Sequence, residues 1–202
     1  MINFNNEDTI VAIATPPGKS ALGVIRLSGS KAIEIVNPLF PAKDLNLEAS
    51  HSLHIGTIRG QNGLVIDEVC LSIFLSPRSY TGENLVEISC HGSMFILNSM
   101  LDLLVEKGAR PAEPGEFSFR AFMNHKLDLS QLEAVADVID AENRSAHRIA
   151  INQMRGGFSA QLKELREKLL NLASLFELEL DFAEEDVEFA TTAQLNDIVG
   201  DI

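Results

Sequence analysis

Two charged residues sit where charge is costly. Arg26 lies in VIRLS (24–28) and Glu87 in LVEIS (85–89), each inside an otherwise apolar run of strand character. A charged side chain in the middle of such a strand must face solvent, a partner or a ligand. The plainest arrangement is a pair of solvent-facing residues, or a salt bridge between them. The more informative one is a carboxylate and a guanidinium set into a sheet to hold a polar ligand. Cys90 and His91 are adjacent and bring a thiol nucleophile and base to mind. Successive side chains of a strand point to opposite faces, so these two cannot form a dyad with each other. Cys90 reads as structural. His91, at a strand end before a glycine, either lines a site or caps the strand.

PPGKS (16–20) invites a phosphate-loop reading. That pattern needs a glycine five positions before Gly18, where backbone N–H groups would cradle phosphate. Ile13 stands there, inside a strand, and no helix follows. The segment reads as a turn. The longest unusual stretch is RPAEPGEFSFRAFMNHKLDLSQLEAVADVID (110–140). Pro114, Gly115 and Glu116 open a short helix that holds Arg120, and Asn124, His125 and Lys126 interrupt it. Asp128 or Ser130 caps the next helix, with Glu133 three residues after Ser130 as a capping-box partner. This places Arg120, His125, Lys126 and Asp128 where two units meet, and clefts between units are common ligand sites. An ordinary capped helix–turn–helix is the alternative.

The elements that must position these residues change character along the chain. Residues 9–15, 22–28, 52–59, 64–75 and 85–90 are β-rich, and GQNG (60–63) makes a hairpin turn. Residues 30–40 have apolar spacing for a short helix stopped by Pro38 and Pro41. Residues 93–107 form an amphipathic helix closed by Gly108. The first part is therefore a mixed α/β domain with a mostly antiparallel or mixed sheet. Beyond the Pro/Gly-rich 110–117, residues 129–142 and 145–182 read as helical throughout, which makes the whole chain α+β. Leu162, Leu165, Leu169, Leu172, Phe176 and Leu180 form one stripe, and Leu170, Leu175, Leu178 and Phe182 fall off it. A helix apolar on more than one face must be covered on more than one side. The expectation is a helical unit completed by sequence beyond this chain or by another subunit. Residues 183–190 (AEEDVEFA) are too acidic for a core and read as a loop or a helix start.

Composition bounds the rest. The 202 residues are 46% hydrophobic and 22% charged, enough for one large domain or two small ones with real cores. No apolar run approaches the roughly 20 residues that span a bilayer. The N-terminus lacks the basic start and apolar stretch of a secretory signal. Cys70 and Cys90 lie twenty apart with no CxxC, which argues against a disulfide framework and a structural zinc and fits a cytoplasmic setting. The net charge is −13, with −4 on residues 1–120 and −9 on residues 121–202. That balance lacks the basic footprint of a nucleic-acid binder.

Three strings taken together, ATPPG…GVIRLSG, SYTGENLVEISCHG and RPAEPGEFSFRAFMNHKLDLSQLEAVADVIDA, resemble the tRNA modification GTPase MnmE (TrmE) family. The resemblance runs in order over essentially the whole chain. Ser93 is a departure, since the family usually has a second glycine after HG. The resemblance implies a tetrahydrofolate-binding and dimerisation domain over 1–118, similar to that of the glycine-cleavage aminomethyltransferases. It implies the first part of a helical domain over 119–202, with the GTPase domain and a C-terminal cysteine motif outside this chain.

The same resemblance implies a site. Arg26, Glu87 and Lys126 match the family's folate-contacting positions, and His91, Arg120 and Asp128 are further candidates. The implied ligand is 5-formyltetrahydrofolate or methylenetetrahydrofolate. The full-length protein would also take GTP, Mg2+ and K+, none of them through catalytic or metal-binding residues of this chain. The implied partners are a second copy, the flavin-dependent MnmG and, through the full complex rather than this piece, tRNA. Together they would install a carboxymethylaminomethyl or aminomethyl-type group at carbon 5 of the wobble uridine. Two other readings remain open: a stand-alone folate-dependent one-carbon transferase using Asp128 or His91 as acid or base, and an assembly scaffold.

Overall fold

A computed structural model of the chain describes residues 8–61, 63–181 and 200. The expected loop or helix start at 183–190 lies outside these residues, as does Phe182. The chain divides into two units, Met1–Leu127 and Asp128–Ile202.

In the first unit, alternation of buried and half-buried residues builds a six-stranded sheet. The strands are β1 (Ile10–Ile13), β2 (Leu22–Ser28), β3 (Ser52–Arg59), β4 (Val65–Phe74), β5 (Leu85–His91) and β6 (Arg110–Pro111). Their order is β3-β4-β5-β2-β1-β6. All pairings are antiparallel except β1 with β6, so the sheet is mixed, as expected. The PPGKS segment is the connection between antiparallel β1 and β2, and no helix follows it.

One face of the sheet carries the core. Ile25, Leu27, Val86, Ile88, Leu71 and Ile73 are at most 1% exposed. Helices α1 (Ala32–Val36) and α2 (Met94–Glu106) cover that face through Val36, Leu97, Met100 and Leu104. Burial of each such side chain contributes roughly 1.5–3 kcal/mol. The period of two then turns Arg26 and Glu87 to the other face. There, the segment 76–84 and helix α3 (Glu116–Met123) approach β2 and β5, while Leu53 and Ile55 of edge strand β3 stay exposed.

In the second unit, α4 (Leu129–Asp140) and α5 (Arg144–Met154) pack through small buried Ala134 and Ala150. The capping question resolves to Asp128. Its side chain accepts from the Gln131 N–H at 2.8 Å, and the Gln131 side chain accepts in return from the Asp128 N–H at 2.9 Å. Ser130 and Glu133 are not the capping pair. The expected continuous helix over 145–182 is broken: α5 ends at Met154 and α6 (Gly157–Asp181) starts afresh. Gly156, at φ 82°, supplies the left-handed residue that ends a helix. Along α6, Leu162, Leu169 and Phe176 are exposed, and so are Leu170 and Leu178. No helix among the described residues is long and apolar enough to cross a membrane.

Candidate functional site

Arg26 and Glu87 are direct cross-strand partners in the β2–β5 register. Opposite residues on one face place their Cβ atoms about 5 Å apart, which suits an ion pair. The pair forms, and its geometry is lopsided. Arg26 Nε donates to Glu87 Oε1 at 2.8 Å, and Nη2 reaches the same oxygen at 2.7 Å. Among the described residues no hydrogen bond engages Glu87 Oε2 or Arg26 Nη1. Both side chains are a little over a quarter exposed. Among the described residues, the sheet face thus presents a carboxylate oxygen and a guanidinium nitrogen open beside each other.

Two rings flank the pair. The Arg26 guanidinium carbon lies 5.4 Å from the Tyr80 ring centroid and 5.6 Å from that of Phe117. Both distances are within cation–π range. Tyr80 comes from the segment 76–84 and Phe117 from α3, and each segment is held by several bonds. Tyr80 Oη and Ser118 Oγ are 2.7 Å apart, Asn124 Nδ2 donates to the Thr81 carbonyl at 2.7 Å, and Ser28 Oγ donates to Glu83 at 2.7 Å. Gly82, at φ 80°, brings this segment against Asn124 and Lys126, where an added Cβ would sit 3.0 Å from the Asn124 Cβ. Neither ring is marked by charge or spacing in the sequence. The only clue to Tyr80 is its place two residues before the glycine of SYTGEN.

The other expected residues fall elsewhere. Lys126 is exposed, and its Nζ donates to the Pro77 carbonyl at 3.1 Å. It touches the segment that carries Tyr80, and among the described residues it makes no hydrogen bond or ion pair with Arg26 or Glu87. His91 shares the Glu87 face of β5, about 13 Å along the strand. Its Nδ1 lies 2.8 Å from Asp67 Oδ1, and its backbone N–H donates to Asp67 Oδ2. That fixes the ring while leaving most of it exposed. Cys90 points to the core and is 2% exposed, as the strand alternation requires. Burial, helped by the Asp67 charge, pushes its thiol up to about 11. His125 adopts φ 56° just after α3 and is exposed. Asp128 opens the second unit as the α4 cap. It also accepts from Ser159 Oγ at 2.6 Å, and that bond leads those holding its carboxyl below the ordinary value.

Arg120 is 1% exposed and lies within a buried charge cluster. Its guanidinium donates to the Asp8 carbonyl at 2.9 Å, to Asp8 Oδ1, to Glu83 Oε1 at 3.2 Å and to Glu116 Oε1 at 3.1 Å. Arg110 adds bonds of 2.6 Å to both Asp8 and Glu116. Burial pushes the Asp8 and Glu116 carboxyls up, but the bonds from the two arginines outweigh it and hold both below the ordinary range. Arg120 therefore ties α3 and the 76–84 segment to the start of β1. The sequence offered no sign of this cluster, because Asp8, Glu83 and Arg120 are far apart in the chain.

A mixed-sheet domain with a charged pair on one sheet face, followed by a helical unit, defines an α+β protein of two units. The comparisons give the family. The description GTP-binding protein TrmE N-terminus matches residues 9–126, and MnmE helical domain matches residues 129–202. The protein named tRNA modification GTPase MnmE from Christiangramia forsetii is 56% identical over 198 residues, covering 96% of this chain and 42% of that protein. Those of Flavobacterium johnsoniae and Cytophaga hutchinsonii are 54% and 51% identical, each covering 98% of this chain and 43% of their own length. The chain belongs to the MnmE (TrmE) family of tRNA modification GTPases. It spans less than half the length of these curated relatives.

Proposed function

We propose that this chain is the folate-binding and dimerising part of a tRNA modification GTPase, spanning a domain over about 1–118 and the first part of the helical domain. The observation that carries the reading is the open Glu87 Oε2 beside Arg26, with the Tyr80 and Phe117 rings against the guanidinium. A pterin edge offers an amine and a ring N–H side by side, and a carboxylate can accept both. Arg26 suits a carbonyl, a formyl oxygen or the ligand's carboxylates. Lys126 would reach the ligand from the rim, and His91 would serve only a longer one. Arg120 supports the site from within. The ligand, 5-formyl- or methylenetetrahydrofolate, supplies a one-carbon unit when bound.

The relatives' name, tRNA modification GTPase, supports tRNA modification and GTP hydrolysis by the whole protein, and the family resemblance supplies the remaining assignments. Hydrolysis of GTP with Mg2+ and K+, work with MnmG and modification of the wobble uridine of tRNA would be the work of the full-length protein. A homodimer in the cytoplasm completes the reading, and Leu53 and Ile55, 61% and 70% exposed on edge strand β3, are apolar surface suited to a second copy. Titration with 5-formyltetrahydrofolate tests the site. Glu87→Ala should weaken binding by about 2 kcal/mol or more, and affinity equal to the parent chain would overturn the assignment. Turnover of methylenetetrahydrofolate lost in Asp128→Asn would favour the transferase instead.

A further inference from the structure

The Arg26–Glu87 pair has a chemical resemblance to the ligand proposed for it. The pyrimidine edge of a pterin is a carbon bearing an exocyclic amine between two ring nitrogens, which is a guanidine unit held flat in a ring. Arg26 presents the same flat, N–H-bearing unit to Glu87. It does so against the Tyr80 and Phe117 rings, which attract a flat, delocalised, nitrogen-rich group whether it comes from a side chain or a ligand.

We propose that Arg26 is an internal stand-in for the ligand's head, and that binding is an exchange. In the free protein Arg26 holds Glu87 and the ring faces. A fused pyrimidine carrying the guanidine edge takes them over, and the released guanidinium turns to the carboxylate oxygens of the ligand's glutamate arm. This rests on the folate reading of the site and adds how the site works. The partial exposure of the pair keeps the exchange accessible, because a partly solvated ion pair is worth only about 1 kcal/mol or less. The single-oxygen geometry helps as well: Oε2 can receive the incoming N–H before Oε1 gives up Arg26. The surroundings need not move, since Tyr80 and Phe117 are held by Ser118, Glu83 and the Arg120 cluster rather than by Arg26.

The exchange predicts a reversal of sign that a fixed Arg26 contact does not. A tetrahydropterin lacking the aminobenzoyl-glutamate arm keeps the guanidine edge and has no carboxylate for Arg26. A site partly occupied by its own arginine binds with its affinity reduced by the free fraction. Calorimetry should therefore show Arg26→Ala, and Arg26→Gln as a second variant that keeps more of the stem, binding this head a few-fold, up to about sixfold, more tightly than the parent chain. The same variants should bind 5-formyltetrahydrofolate no more tightly, because they lose its anionic contacts. The Arg26 Nε–H resonance should shift on titration of the parent chain. Weaker head binding in both Arg26 variants, with Glu87→Gln still abolishing binding, would overturn the exchange and leave the folate site standing. Head and folate binding that ignore Glu87→Gln would overturn the site itself.

Discussion

The Tyr80 hydroxyl and the Ser118 hydroxyl lie 2.7 Å apart, so the two segments that bring rings to Arg26 are latched to each other. Tyr80 sits in a connection between β4 and β5, and Ser118 in the first turns of α3. The latch couples them energetically as well as spatially. A double-mutant cycle of Tyr80→Phe and Ser118→Ala, followed by urea unfolding, should give a coupling of about 0.5–1 kcal/mol. Tyr80 is the only tyrosine and there is no tryptophan, so intrinsic emission of the parent chain reports this position alone. Additive effects of the two substitutions would show that the segments are held independently.

The buried cluster around Arg120 sets a larger stake. Arg120→Met removes the cation shared by Asp8, Glu83 and Glu116, leaving Asp8 and Glu116 to Arg110 alone and taking from Glu83 the cation it faces. Removing one partner of a buried pair costs about 3–5 kcal/mol. Arg120→Lys should recover only part of this, because one ammonium cannot match the fork that reaches all three acids. Urea midpoints of the first unit measure both. A midpoint shift within error for Arg120→Met would show the cluster contributes nothing to stability.

The same cluster fixes the sign of an acid response. Asp8 and Glu116 have native values held below the ordinary carboxylate range, with burial opposing and the arginine bonds prevailing. A carboxyl lowered on folding stabilises fully above its unfolded value, near pH 4, and loses that contribution as pH falls through the lowered native value. Unfolding free energy should therefore drop steeply below about pH 4. In Glu116→Gln the slope should be shallower and the neutral-pH stability lower. An unchanged slope would remove Glu116 from the acid transition.

The sheet was legible because the period of two is a local property: the VIRLS and LVEIS patterns placed both strands and the outward side chains of Arg26 and Glu87. Alternation also put Cys90 and His91 on opposite faces, and the structure has Cys90 in the core. What sequence could not provide was partnership between distant segments. Glu83 carries no signal of its own in SYTGEN, Glu116 reads only as part of a helix start and Arg120 as a candidate ligand residue at the junction, yet all three meet near the start of β1. Burial of a charge depends on its partners, and those come from three separate places in the chain. Tyr80 and Phe117 were missed for the same reason, since an aromatic becomes a site residue only through what it lies against.

Burial also governs the two thiols differently. Cys90 is in the core with its thiol raised to about 11, so little thiolate exists near neutrality, while Cys70 is half-buried on the opposite face. Because the thiolate is the reactive form, iodoacetamide at pH 8 should label Cys90 slowly in a Cys70→Ser chain and completely after denaturation. Rapid labelling of the folded Cys70→Ser chain would mean that β5 opens at this end.

The break between α5 and α6 comes from one residue. Gly156 follows the α5 C-cap Arg155 with φ 82°, a region that a Cβ penalises. A Cβ there would lie 3.5 Å from Gln131 Nε2, an ordinary contact, so crowding does not explain the glycine. Gly156→Ala should thus cost about 1 kcal/mol from backbone strain alone, despite alanine's better helix propensity. The opposing possibility is that alanine lets 144–181 run on as one straight helix. Thermal unfolding separates them: a lowered midpoint with unchanged helix content supports a locked turn, whereas a raised midpoint with added helical signal would show that only glycine's poor propensity interrupts the helix.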